Sequence, residues 1–590
     1  MRGFFLIFAL LAAGTVQAEP DTFGLGTGKD GSPRFDSGSH IVNRYARLTA
    51  DAAAGASELS VSDSTRFAAG DLVLVHQSTG LAAPDSGNQR PVSLAGGPVG
   101  RIEYARVASV SPGVLRLTAP LLYARTGNLS QVVGVPEYTE LEVRSGATLR
   151  AAPWDGSVGG ILAVMVTGRL RNDGLISVDG AGFRGGAFLS HADLNGSTDL
   201  DEPVDGGGAY KGEGLVAGRF GSAAGRGNLA NAAGGGICHN SGGGGGGHAG
   251  LGGQGGRSAS ADGEQDVGGM GGAPVVYLPY EYLVFGGGGG AGEGNNDEGS
   301  SGGAGGGLML LRATEVRGVG RFSAAGATPP PTPGDAGAGG GGAGGAISIR
   351  TVQELECGAA EARGGAGGDN TEFVFPLAPG GGGAGGVVFL QGEVIACSRS
   401  VLAGAPGRMA TDGGTHGAGP DRVDGGTAFG SEQVLSTPFG EPASPMLTLP
   451  VDGTTQVGPG LRIEGQAPAG DPRVLLFLDG VLLSTLDAGA DGRFSYVLPE
   501  ALPPGPHELR ASTEVLGVHS ASSSPVRVTA VAPGDGLPGE VSDGGGLPGP
   551  GVIPPLVLAV GCGCGSAPGA GLWTGALLLA AVAVRRRRQP

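Results

Sequence analysis

The runs of bare glycine constrain this chain most: SGGGGGG at 241–247, GGGGG at 286–290, GGAGGG at 302–307 and GGGGAGG at 339–345. Backbone without Cβ atoms builds no side-chain core, and left alone such sequence is disordered. It can pack only backbone against backbone. Two arrangements do so: left-handed polyglycine helices laid side by side, which only Gly permits, or tight turns stacked beside a β structure. The sequence leaves both open. Of the 126 glycines, 77 lie at 181–430, so two different materials share one chain and a single uniform globular domain is excluded. No Gly-X-Y period runs through the rich stretch, which excludes collagen.

Order enters through an internal repeat. GGILAVMVTGRLRNDGLISVDGAG from Gly159, GGLMLLRATEVRGVGRFSAAGA from Gly306, GGAISIRTVQELECGAAEARGGAG from Gly344 and GGVVFLQGEVIACSRSVLAGAPG from Gly385 align by eye. Each is a Gly pair, an apolar strand, a polar bend, a second strand, and Gly or Ala again. One such unit cannot bury its apolar face alone, whereas stacked units share a core. Val, Ile, Leu and Ala without a helical period make the stack a parallel β-helix over 151–430, with a Gly-rich insertion at about 184–300. Cys357 and Cys397 each lie seven residues before the closing glycine of their unit and therefore share a rung, within disulfide reach. A disulfide and a pair of small buried apolar residues are the two readings, the second suggested by Val319 at the equivalent place. Cys238 has no evident partner. Within the insertion, Tyr277, Tyr280, Tyr282 and Phe285 form an aromatic patch, read as core or as a partner surface.

Residues 19–150 carry short strands at regular spacing, as a β module or as capping coils of the solenoid. Over 445–532 the composition turns ordinary, and about seven strands separated by Gly, Pro and Asp turns predict a Greek-key sandwich. The run RVLLFLDGVLLSTLDAGADGRFSYVLPEALPPGPHELRAS resembles bacterial Ig-like modules, with Asp479 and Gly480 as the hairpin turn. A Pro/Gly linker follows at 533–560.

The two ends carry addressing signals. MRGFFLIFALLAAGTVQA has a positive charge, an apolar run and small residues before Glu19, the layout of a secretory signal over 1–18. At 561–590, Cys562 and Cys564 precede about 18 mostly apolar residues, a length that spans a membrane, and then Arg585, Arg586, Arg587 and Arg588. This tail resembles the myxobacterial C-terminal sorting signal. The resemblance implies a transmembrane sorting helix, recognition by a sorting protease, processing at Cys562 or Cys564, and retention at the cell surface or outer membrane. The whole order of parts resembles Gly-rich myxobacterial proteins of the adventurous gliding motility type.

Chemistry is scarce. A net charge of −17 offers no footprint for nucleic acid. At this glycine content GxGxxG and GxSxG arise by chance, and no HExxH or CxxC occurs, so no catalytic residue is assigned. Calcium is the one cofactor considered, with Asp199, Asp201 and Asp369 as candidate ligands and a solvated acidic loop as the rival reading. Together these features predict a mainly β, non-enzymatic cell-surface protein for adhesion, surface contact or gliding motility, with an extracellular glycan or surface protein as partner. The alternatives are a polysaccharide-active enzyme on the β-helix, which requires Asp or Glu at matching rungs, and a passive envelope scaffold. Only Asp173 and Asp179 stand out for the enzyme.

Overall fold

The computed structural model describes residues 22–190, 198–237, 239–257, 267–294, 297–333, 336–371, 378–409, 430–470 and 472–532. The signal at 1–18, the linker and the sorting tail with Cys562, Cys564 and Arg585 to Arg588 lie outside them, as does Cys238. Among the described residues no helix is long and apolar enough to cross a membrane.

The chain is mainly β, and its spine is a parallel β-helix. One ladder runs Ile161–Asn172, Leu308–Arg317, Ala346–Thr351, Val387–Gln391 and Ser431–Leu435, with Ile161 opposite Leu308, then Ala346, then Val387. Those four residues each follow a repeat's Gly pair, so the repeat and the rung are the same unit. A second ladder runs Gly38–His40, Ala147–Arg150, Leu175–Ser177, Arg321–Ser323, Glu354–Glu361 and Val394–Ser400. Leu162, Val164, Met309, Leu311, Ile347, Ile349, Val388 and Leu390 of the first ladder face Ile176, Phe322 and Ala360 of the second in one core. The alternate residues Ile161, Ala163, Leu308, Leu310, Ala346 and Val387 are buried on the other face with Trp154, Phe183 and Phe285. Burial on both faces is why these strands read as unbroken apolar runs rather than alternating ones.

The N-terminal part has two components. Arg34–Phe35, Gly38–His40, Leu141–Val143 and Ala147–Arg150 pair in parallel as the first coils, whereas Arg44–Arg47, Glu58–Ser60, Leu72–Gln77, Ile102–Ser111, Val114–Leu117 and Ser130–Val135 form a six-stranded antiparallel sheet with its own core.

The glycine runs decide between the two arrangements left open. Along 242–247 successive N–H groups donate to the carbonyls of Gly256, Ala338, Gly234, Gly253, Gly341 and Asn231, so every third bond returns to the same neighbour. Along 286–291 the acceptors are Gly306, Gly247, Glu213, Gly303, Gly244 and Tyr210, with the same period of three. No glycine of these two runs has the positive φ that type II, I′ and II′ turns need, and the bonds run to neighbouring segments with a period of three rather than back within a turn. This is a bundle of three-residue-per-turn polyglycine helices. Glycine is required there for close approach: a Cβ on Gly340 would stand 1.8 Å from the Gly244 carbonyl oxygen, and one on Gly290 1.9 Å from that of Gly234.

Cys357 pairs with Cys397 in the ladder, Cα atoms 4.7 Å apart, and the two form a disulfide beside the β-helix core. Val319 is not their counterpart: it lies in the bend between the Val316–Leu355 and Arg321–Ala359 pairs, in neither ladder, at 76% exposure.

Residues 446–531 form a sandwich. Met446–Leu449, Arg462–Gln466 and Arg493–Val497 make one antiparallel sheet, and Thr454–Val457, Val526–Val531, Gly505–Val515, Arg473–Leu478 and Val481–Asp487 the other. Asp479 and Gly480 both have positive φ, the hairpin turn geometry that Asp-Gly supports. Leu475 and Phe477 pack on Leu122 of the antiparallel module, seating the sandwich against it.

Candidate functional site

The aromatic segment is divided between core and cleft. Phe285 is fully buried, its ring centroid 5.3 Å from Trp154 and 5.3 Å from Phe183, edge-on to the latter. Val275–Val276 pairs in parallel with Val92–Ser93, and Tyr282 bridges to Arg101, so the intervening residues 277–281 are held as a turn at the edge of the N-terminal module. That turn walls an open cleft of about 430 Å³ lined by Arg101, Tyr123, Tyr277, Glu281, Tyr282 and Arg473. Val276 and Leu278 stand on its rim at 55% and 46% exposure.

Each polar group of the cleft is fixed by a neighbour. The Arg101 guanidinium lies between two rings, 4.2 Å from the Tyr123 centroid and 4.5 Å from that of Tyr282, and donates to the Tyr282 hydroxyl. Glu281 accepts from Arg473 at 3.0 Å and lies 4.0 Å from Arg101. The half-buried Tyr277 bonds through its hydroxyl to the buried His248 ring at 2.7 Å, and the other ring nitrogen of His248 contacts the Gly344 carbonyl at 2.6 Å. Burial pushes the Tyr277 hydroxyl up and the His248 imidazole down to about 4.

Arg101, Tyr123 and Glu281 also line a second, inner cavity of about 50 Å³, shared with Glu103, Tyr104, Arg312, Arg350, Glu514 and His519. Glu103 holds the buried Arg125 at 3.0 Å, and burial pushes its carboxyl up against that charge. For Glu514 burial also raises, but His519 and Arg473 more than offset it and hold the carboxyl below the usual range. Two carboxyls of one cavity are thus pushed in opposite directions.

Two of the buried histidines, His76 and His248, make stability depend on acid. His76, with Leu283 O at 2.9 Å, is also pushed down to about 4 by burial. In the unfolded chain both titrate near ~6.5. A folded pKa below the unfolded one means that the unfolded state binds more protons, so this stability is whole above ~6.5 and is lost as pH falls toward about 4. Thermal melting from pH 7 to pH 4 should show that decline, with a shallower slope in His248→Gln.

The calcium candidates are not brought together. Asp201 pairs with the buried Lys211, and Asp369 accepts the Arg408 N–H at 2.8 Å. Among the described residues no group of three His, Cys, Asp or Glu is arranged to hold a metal. Asp173 pairs with Arg171 of its own coil at 2.7 Å, and Asp179 accepts from Ser323 and from Ala325 N–H of the next coil. Of the residues that build the cleft, only Tyr277 and Tyr282 stood out in the sequence; Tyr123, Arg101, Glu281 and Arg473 come from distant segments with no common motif.

No family model matches the chain, and no curated protein matches it. Among solved structures, the tailspike of Acinetobacter baumannii bacteriophage AP22, in complex with an A. baumannii capsular saccharide, aligns at 9% identity over 76% of this chain and 79% of its own, with a TM-score of 0.13. The tailspike of Pseudomonas phage phi297 aligns at 10% identity over 83% and 81%, with a TM-score of 0.14. Likeness at this level assigns neither a site nor an activity. The expectation of adhesion, surface contact or gliding motility gives way to its polysaccharide-directed alternative, whose support comes from the cleft alone.

Proposed function

We propose that the protein engages an extracellular polysaccharide, and that the tyrosine cleft is where it does so. One observation carries this: three tyrosines, an apolar rim and rigidly held Arg and Glu side chains converge on an open space of about 430 Å³. Aromatic faces and apolar side chains suit the C–H faces of a sugar ring, and a few fixed polar groups suit its hydroxyls. Glycan-array binding by the full chain should identify a ligand, and Tyr277→Leu and Tyr123→Leu should each weaken it by about three- to tenfold. Binding that survives both substitutions would remove the cleft from the function.

Hydrolysis of the bound glycan is the second reading, favoured by Glu281, a carboxylate held in the wall of the cleft between Arg101 and Arg473. New reducing ends released by the wild type and not by Glu281→Gln would establish it, whereas binding without new ends would identify a glycan-binding protein.

The reading includes display at the cell surface, supported by the resemblance of 561–590 to the sorting signal. A Cys562→Ala, Cys564→Ala protein should stay unprocessed and lose surface exposure to added protease; normal processing would remove the sorting role.

A further inference from the structure

The cleft does not belong to one module. Arg473 and Thr485 line it from the sandwich strands Arg473–Leu478 and Val481–Asp487, together with Arg101 and Tyr123 of the N-terminal module. The sandwich also holds groups that it does not supply. Tyr123 packs with Leu482 against Leu122, Leu475 and Phe477, and the last two are fully buried sandwich residues. The Glu281 carboxylate, 8% exposed, has the Arg473 guanidinium at 3.0 Å, whereas Arg101 stands at 4.0 Å. Arg473 is in turn fixed at 3.3 Å by Glu514, its direct partner in the neighbouring strand. Removing one member of a buried ion pair leaves the other charge uncompensated. Without the sandwich, Glu281 and the turn that carries it lose the charge that secures them. A further contact is backbone on backbone. Val515 and Val518 pair across a two-residue hairpin whose Leu516 and Gly517 both have left-handed φ, 51° and 70°. That conformation is unfavourable for leucine and persists where the surroundings over-determine it. Here the hairpin tip meets the 277–281 turn: a Cβ on Gly517 would stand 2.1 Å from the Tyr280 carbonyl oxygen.

We infer that the sandwich is the closing wall of the cleft, so that glycan binding and the seating of the sandwich on the 277–281 turn are coupled. The inference rests on the polysaccharide reading of the cleft and adds its control: the sandwich is part of the receptor, not a spacer. A glycan that touches Arg473 or Thr485 as well as Arg101 or Tyr123 makes its full contacts only in the seated state, and therefore shifts the population toward that state. The coupling is reciprocal, and loosening the seat lowers the apparent affinity in proportion to the fraction of molecules still seated.

Gly517→Asn and Leu122→Ala test this in the full chain, since neither residue lines the cleft. Asn accepts a left-handed φ, so the hairpin keeps its turn while the new side chain wedges its tip away from Tyr280. Leu122→Ala loosens the same seam from the module's side. Gly458→Asn is the control: its φ is 73°, and nothing lies within 4 Å of its added Cβ. Hydrogen exchange over 276–283 reads seating. An array of neutral and uronic-acid oligosaccharides, followed by titration of those the wild type binds, reads affinity. Gly517→Asn and Leu122→Ala should each speed exchange and weaken binding at least about tenfold, and saturating oligosaccharide should slow exchange again. Gly458→Asn should behave as the wild type, and cooperative melting of each variant confirms folding. Faster exchange with unchanged affinity overturns the coupling and leaves the cleft reading intact, and unchanged exchange in both variants overturns it equally. A wild type that binds none of the oligosaccharides overturns the polysaccharide reading itself, and the coupling with it.

Discussion

Gly340→Ala is expected to destabilise the protein by about 3 kcal/mol or more, the upper end of what overpacking a dense interior costs. The added methyl would lie 1.8 Å from the Gly244 carbonyl oxygen and 2.3 Å from its carbon, both backbone atoms that no rotamer change can move. Relief requires separating two polyglycine helices, and the separation spreads. The Gly340 N–H donates to Gly290, which donates to Gly244, which donates to Gly234. Each of these N–H groups is buried, so each lost bond leaves an unsatisfied donor and acceptor. Gly440→Ala is the matched control: nothing lies within 4 Å of its added Cβ, and its change should stay within about 0.5 kcal/mol. Guanidinium unfolding of both variants measures the difference. A Gly340→Ala protein as stable as Gly440→Ala would mean that the bundle does not pack through close backbone contact.

What was legible in the sequence follows from what local chemistry dictates. A Gly pair before an apolar run marks where backbone contact gives way to side-chain core, and the eye alignment from Gly159, Gly306, Gly344 and Gly385 coincides with the register of Ile161, Leu308, Ala346 and Val387. The sandwich was legible for a similar reason, since strand alternation and Asp-Gly turns are local. Thr454–Val457 was missed because it is short and polar at the sandwich edge, with alternate residues exposed. The choice between polyglycine helices and turns was not legible either: it depends on φ, and glycine composition is silent about φ. The inner cavity left one trace, a column in which Met165, Arg312, Arg350 and Gln391 follow four mostly apolar residues. That column gained meaning only once the rungs were stacked, because 147 residues separate the first repeat from the second.

Removing the Cys357–Cys397 disulfide is expected to cost about 4 kcal/mol, from the loop-closure entropy of a 40-residue separation. The bond joins adjacent rungs, so its effect in the native state is small; both residues are already paired through the flanking ladder from Glu354 to Glu361. The gain lies in the unfolded chain, where the crosslink holds together two segments that must otherwise find each other. Residual structure in the unfolded state would reduce the figure, because rungs that stay associated have less entropy to lose. Packing is a competing source, since Cys357 and Cys397 are buried at 9% and 8% exposure beside Leu355 and Ile395. Guanidinium unfolding with and without reductant, compared with a Cys357→Val, Cys397→Val protein, separates the two. If chain entropy dominates, the valine pair should be as unstable as the reduced wild type despite filling the rung. Recovery of the oxidised protein's stability by the valine pair would show that the rung needs volume and not a crosslink.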